Sequence, residues 1–178
     1  MGDFPAETYS WYYGWEVLRK YVPNIPKTAS ILVPGIGNDP ILLDLLAAGY
    51  HHLTAQDYSE HAMERQRDLL LSSYSSHSSV TLSHGDVRQL PDDWSPFDVI
   101  LEKGLLDAIY LSGDGQVERA VESLSRVLKP GGLMVSVSGV VPEDLRRALF
   151  SDWEWLRDGS ADLQAGCFLW RQKDNDTN

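Results

Sequence analysis

The segment ILVPGIGNDPILLDLLAAGY, residues 31–50, runs an apolar strand into a glycine turn and out into a helix. Ile31, Leu32 and Val33 form a short apolar run that reaches Gly35 and Gly37. Asp39 suits a helix N-cap, Pro40 the first helical turn, and Gly49 the residue just past the end. Leu42, Leu45 and Leu46 recur at helical spacing, so one face of the Pro40–Ala48 helix is apolar.

The same alternation repeats downstream. A short strand at Leu53–Gln56 ends at Asp57, and Ser59 can cap a helix from Glu60 to Leu71. A third strand, Val80–Ser83, ends near Asp86, and a fourth, Phe97–Leu101, ends at Glu102. Val117, Val121, Leu124 and Leu128 fall in helical register over Gln116–Leu128, before Pro130, Gly131 and Gly132. Leu133–Val137 reads as a fifth strand and Pro142–Leu149 as a further helix. Trp153–Arg157 and Cys167–Arg171 read as two closing strands, with Trp153, Trp155 and Trp170 as core. Strands alternating with helices predict a mainly parallel α/β sheet covered on both faces, with a late antiparallel strand near one edge.

Length and composition fit a single unit. The chain has 178 residues, 43% hydrophobic and 23% charged, with a net charge of −11. A surface this acidic repels phosphate backbones and disfavours nucleic acid, while it would attract a basic partner. Cys167, the single cysteine, permits no internal disulfide and no cysteine-based metal site, and it suits a reducing, cytoplasmic setting. His51 and His52 are adjacent and share no face, so they are no ligand pair; no metal is expected. No apolar run is long enough to span a membrane, and the N-terminus shows no basic, apolar signal pattern. The expected organisation is one domain over 1–173, with 1–29 as an aromatic-rich cap carrying an N-terminal helix. The serine-rich stretch at 72–79 reads as a surface loop and 174–178 as a disordered tail.

In open α/β sheets, ligands bind beyond the carboxyl ends of the strands. Here those ends carry Gly35 and Gly37, then Asp57, Asp86 and Glu102. The first loop, GIGNDP, lacks the third glycine of a dinucleotide fingerprint. Asp39 also places a carboxylate where a diphosphate would seek helix-terminal amides. S-adenosylmethionine (SAM) has no phosphate and carries sulfonium and ammonium charges, so an acidic rim suits it. Asp57 stands at the distance from Gly35 expected of a ribose-binding acid. Asp86, with the Val87 amide behind it, is placed to accept from an adenine amine.

The motifs GIGND (residues 35–39), DYS (57–59), DV (86–87) and FDVILEKGLLDA (97–108) resemble the seven-strand class I SAM-dependent methyltransferases. More narrowly, they resemble the methyltransferase-like group that modifies lysine of elongation factor 1A. The resemblance covers about residues 9–138, and EKGLLDA is its most specific stretch. It implies a Rossmann-like seven-stranded sheet, mostly parallel, with an antiparallel C-terminal strand. It further implies SAM contacts at Gly35, at Asp57 with Tyr58, at Asp86 with Val87, and at Glu102 with Lys103; Gly37 and Asn38 of the first loop are further cofactor-binding candidates. Trp11 and Tyr12 map onto the group's aromatic pair near the amino-acid end of SAM. Leu105 stands where the group has threonine, and Ile36 where it has cysteine. The group's upstream Y-W-x-x-R-Y element has no match in MGDFPAETY.

The activity implied is methylation of a protein lysine, on a basic partner such as a translation factor, by a monomer or weak dimer. Methylation of a small molecule, or SAM binding without catalysis, are the alternatives. Glu102 and Asp107 are the candidate catalytic residues, to orient the amine or relay its proton. Lys103 reads as a surface or ion-pair lysine whose backbone faces the cofactor. Tyr110 is a further candidate for the pocket wall.

Overall fold

The computed structural model describes residues 11–73, 80–159 and 162–173. The expected tail at 174–178 and most of the expected serine-rich loop lie outside them. The elements are α1 (Trp15–Leu18), β1 (Ser30–Pro34), α2 (Ile41–Ala47), β2 (His52–Asp57), α3 (Glu60–Ser73), β3 (Val80–His84), β4 (Phe97–Lys103), α4 (Leu105–Ser112), α5 (Val117–Arg126), β5 (Leu128–Ser138), α6 (Glu143–Leu149), β6 (Glu154–Arg157) and β7 (Gly166–Arg171), with a 3-10 turn at Val87–Gln89.

The strands form one sheet in the order β3-β2-β1-β4-β5-β7-β6. β1, β2, β3, β4 and β5 pair in parallel. β7 is antiparallel to both its neighbours, β5 and β6. The chain therefore reverses only at β7, as the late hairpin in the sequence predicts. The strand order changes direction between β1 and β4, and the crevice at their carboxyl ends is the topological switch point of such sheets.

Period-two alternation builds two cores. Ile31, Val33, Val99, Leu101, Val135 and Val137 face α1, α2 and α3. Leu32, Ile100, Met134, Phe168 and Trp170 face α4, α5 and α6. Strands buried on both faces read as continuous apolar runs, which is why runs such as Phe97–Leu101 were visible in the sequence. Each fully buried Leu, Ile or Phe contributes about 1.5–3 kcal/mol of transfer free energy.

Local chemistry explains the helix ends. Asp39 Oδ1 accepts from the Ile41 amide at 3.0 Å. At the other end Gly49 takes φ +89°, which only glycine adopts without strain. There the Tyr50 and Gly49 amides donate to Leu45 and Leu46 carbonyls at 3.0 and 2.9 Å, a Schellman closure.

Three expectations shift. The N-terminal cap helix is a single turn, α1, pinned by Trp15 against Tyr50 with ring centroids 5.8 Å apart. β5 begins at Leu128 rather than Leu133, because Phe97 pairs with Leu128 before the ladder slips to Val99 with Leu133. Trp170 is fully buried and stacks on Phe150 at 3.8 Å, whereas Trp153 and Trp155 are half-buried at its flank. Among the described residues no helix is long and apolar enough to cross a membrane.

Candidate functional site

Alternation along β4 sends its last two side chains to opposite faces. Glu102, on the Ile100 face, is fully buried and accepts from the Leu105 and Leu106 amides at 3.1 and 3.4 Å and from the Ser136 hydroxyl. It caps the start of α4. Lys103 points the other way and pairs with Asp39 at 2.7 Å, both side chains nearly dry. The expected ion pair is present. It is buried rather than at the surface, because β4 lies in the middle of the sheet. It fixes the glycine loop to the end of β4.

The loop itself is held from three sides. The Gly37 amide donates to Asp57 Oδ2 at 2.8 Å and the Ser59 amide to Oδ1 at 2.9 Å. Each oxygen of the buried carboxylate thus spends one lone pair on the scaffold. Gln66 Nε2 donates to the Gly37 and Asp39 carbonyls, both at 2.9 Å. Gln66 was not anticipated, although a lone polar residue on the stripe formed by Ala62, Met63 and Leu70 was the available signal. Gly35 has φ +61°, and the Leu105 side chain lies 2.6 Å from where its Cβ would stand. Any side chain there would collide with α4. Asn38 is half-buried on the same loop.

Beyond Gly35 a cavity of about 200 Å³ opens at the carboxyl ends of β1, β2 and β4. Gly35, Tyr58, Asp86 and Val87 line it, with Leu105 and Ile109 of α4 opposite. These sequence candidates therefore converge. Trp11, Gly35 and Lys103 meet in a narrower recess alongside. Tyr58 is largely solvent-exposed and Tyr110 partly so, the latter outside the lining of this cavity. Gln56 also lines the cavity; the sequence reading passed over it because it precedes the acid at the strand tip.

Two of the candidate acids already accept hydrogen bonds from within the chain. Asp86 caps the 3-10 turn by accepting from the Arg88 amide at 2.9 Å, and the Arg88 guanidinium holds both its oxygens at 2.7–3.0 Å. That side-chain contact keeps its carboxyl below the usual range. Arg88 also reaches Asp114 at 2.8 Å.

Asp107, in the first turn of α4, is buried. Its Oδ2 accepts from the Tyr12 hydroxyl at 2.5 Å and the Gly139 amide at 2.8 Å. Its Oδ1 accepts from the Ser138 hydroxyl at 2.6 Å and from the Val141 and Val140 amides at 3.0 and 3.2 Å. Burial pushes its pKa up, but these hydrogen bonds outweigh burial and hold it below normal. The same contact, after burial, pushes the Tyr12 phenol well up. The aromatic segment thus divides by role. Trp15 is core, the Tyr13 hydroxyl accepts from the Ala165 amide at 2.9 Å, Tyr12 ties the N-terminal strap to α4, and half-exposed Trp11 rests beside Gly104.

Glu102 carries the opposite shift, its pKa pushed up to about 8 chiefly by burial. It therefore binds its proton more tightly folded than unfolded. Its contribution is complete at acid pH and lost as pH rises from the ordinary glutamate value through about 8. Glu102→Gln should lie close to wild type near pH 5. It should gain on wild type by on the order of a few kcal/mol at pH 9, read from denaturant melts. Parallel pH profiles for the two proteins would contradict this.

Comparison with known proteins follows from the same region. Residues 31–132 match the family described as Methyltransferase domain. Human EEF1A lysine methyltransferase 2 is 34% identical over 117 residues, 64% of this chain and 49% of that protein. EEF1A lysine methyltransferase 4 of Bos taurus is 29% identical over 153 residues, 80% of this chain and 58% of that protein. The chain thus spans about half the length of the curated relatives it matches. Among solved structures, the N-methyltransferase NodS from Bradyrhizobium japonicum superposes with a TM-score of 0.64 at 20% identity, over 83% of this chain and 88% of that one. SAM-bound CalS10, an amino pentose methyltransferase from Micromonospora echinaspora, gives 0.66 at 16% identity, over 89% and 88%. At these identities the structural likeness speaks for the fold.

Proposed function

Because the chain belongs to the Methyltransferase domain family, we propose that it transfers a methyl group from SAM to a lysine amine of a protein. The observation that carries the reading is Asp57. Its carboxylate stands at the tip of β2 between Gln56 and Tyr58, which both line the cavity, and is anchored through one lone pair per oxygen, leaving another on each for a ribose hydroxyl. The donor set fits SAM in two further respects. Asp39 already occupies the Ile41 amide, which a diphosphate would need. Val87, Leu105 and Ile109 offer apolar surface to the faces of a purine.

When bound, SAM supplies a methyl on a cationic sulfur, displaced in line by a nucleophile. The chemistry it would supply is methyl transfer to the amine, with the thioether as leaving group and the proton lost to solvent. The residues of this chain need only align the partners and keep the amine neutral. An amine of free pKa about 10.4 loses its proton more readily when desolvated, and Trp11 and Leu105 supply the apolar approach. In this proposal Glu102 and Asp107 orient the acceptor by holding the walls around it, Glu102 through the start of α4 and Asp107 through the strap and the loop after β5. The lysine preference rests on the named relatives and on the net charge of −11, which would draw a basic protein.

Incubating the protein with methyl-radiolabelled SAM and a cell lysate tests this. A labelled protein band whose acid hydrolysate yields methyl-lysine is the expected result. Label found only in small extractable molecules, or no transfer despite measurable binding of S-adenosylhomocysteine, would overturn it.

A further inference from the structure

Of the seven large apolar side chains that stay exposed among the described residues, four gather around one buried carboxylate. They are Trp11, Tyr110, Leu111 and Val140, from 38% to 64% exposed. Asp107 accepts from the Tyr12 hydroxyl, next to Trp11, and from the Val140 amide. On α4, Tyr110 and Leu111 follow Asp107 by three and four residues, so they project from the same side of the helix. The strap, α4 and the loop after β5 thus present one apolar surface beyond the carboxyl ends of β4 and β5.

α4 separates this surface from the cofactor cavity. Leu105, Ile109 and Ser112 line the cavity, and the helical period sets them opposite Asp107, Tyr110 and Leu111. Trp11 joins the two regions, because it also lines the narrow recess with Gly35 and Lys103. The surface therefore leads past Trp11 to the glycine loop.

Clustered exposed apolar side chains mark an interaction surface, and charge identifies what it takes. Residues 11–18, 104–118 and 131–145 contain no lysine or arginine. Asp114 and Asp144 stand exposed, three and four residues beyond Leu111 and Val140, and Arg88 pairs with the first of them. Arg146, the next cation along the chain, turns inward onto the Phe168 ring at 3.7 Å. A second copy would set these acids, and two net charges of −11, against each other, and an anionic lipid surface would be repelled alike. We infer that the surface docks a basic protein segment in which a large apolar side chain flanks the lysine to be methylated. The inference rests on the function proposed above and names the feature by which that lysine is chosen.

The test compares wild type with Leu111→Ser/Val140→Ser, which changes two exposed side chains outside the cofactor cavity. The probes are three synthetic peptides with a single lysine. The first has leucine beside the lysine and arginines further out, the second has serine for the leucine, and the third has glutamates for the arginines. Transfer from methyl-radiolabelled SAM gives kcat/KM for each. Wild type should prefer the leucine peptide to the serine peptide by about tenfold or more, the worth of one apolar side chain withdrawn from water. It should act on the glutamate peptide least, because that peptide meets like charge. The double variant should narrow the leucine preference to within about twofold and keep its affinity for S-adenosylhomocysteine, since the two sites are separate. A wild type that does not favour the leucine peptide, or a variant that keeps the preference, would overturn the inference. So would concentration-dependent self-association of wild type that the variant abolishes, which would assign the surface to a second copy. In each of these cases methyl-lysine formed in lysate proteins leaves the proposed function standing. No such product despite binding of S-adenosylhomocysteine would overturn both.

Discussion

Asp57→Ala is expected to weaken S-adenosylhomocysteine binding by at least 100-fold, to the edge of calorimetric detection, in a protein that stays folded. Two hydroxyl hydrogen bonds to one carboxylate disappear together, and each hydrogen bond to a charged group is worth about 1.5–3 kcal/mol. The Gly37 and Ser59 amides also lose their acceptor, so the glycine loop loses one of its ties. Gln66 and the Lys103–Asp39 pair still hold that loop, which is why the fold should survive. Asp57→Asn separates the two effects. It keeps one acceptor oxygen for the scaffold and loses the charge, so an intermediate affinity is expected. Circular dichroism establishes folding and titration gives the affinity. Undiminished binding in Asp57→Ala would show that the ribose lies elsewhere.

Asp107→Ala should cost more stability than other single changes in the site, about 3–5 kcal/mol, because each buried donor left without its acceptor costs about 1–3 kcal/mol. Three amides, a serine hydroxyl and a tyrosine hydroxyl lose one shared acceptor. Tyr12 sits at φ +64°, an uncommon conformation for a side chain of this size, and the Asp107 contact holds it there. In a domain of this size 1 kcal/mol moves the melting temperature by about 2–4 °C, so a fall of about 6–20 °C is expected. The pH dependence runs opposite to that of Glu102. With its folded pKa lowered, Asp107 contributes fully above its ordinary pKa near 3.9 and loses that contribution as pH falls through the folded value. Guanidinium melts at pH 7 and pH 3 measure both. A loss below 1 kcal/mol at pH 7, or one larger at pH 3 than at pH 7, would show that the amides do not depend on the carboxylate.

Much of this was legible in order along the chain. Strand, glycine turn and helix at residues 31–50, the acids closing successive strands, and the late reversal at β7 are local signals. Apolar period, capping side chains and glycines at positive φ act over a few residues, so each can be read where it stands. The cavity is formed where those signals point, with Gly35, Tyr58, Asp86 and Val87 around it. The aromatic cluster between Trp11 and Trp15 was not separable by sequence. Trp15 turns into the core while Trp11 stays half-exposed, a difference set by α2 and α4, which pack against them from far along the chain.

The sequence alone determined the alternation of strands and helices and the end of the sheet at which the acids gather, because both follow from near-neighbour chemistry. Only the tertiary structure decided which lone pairs of those acids are already used. Asp107 meets Tyr12 across 95 residues and Ser138 across 31, and Gln56 meets Gly85 across 29. A hydrogen bond consumes an acceptor whatever its sequence distance, so the chemical freedom of a residue is a property of the folded packing rather than of its motif.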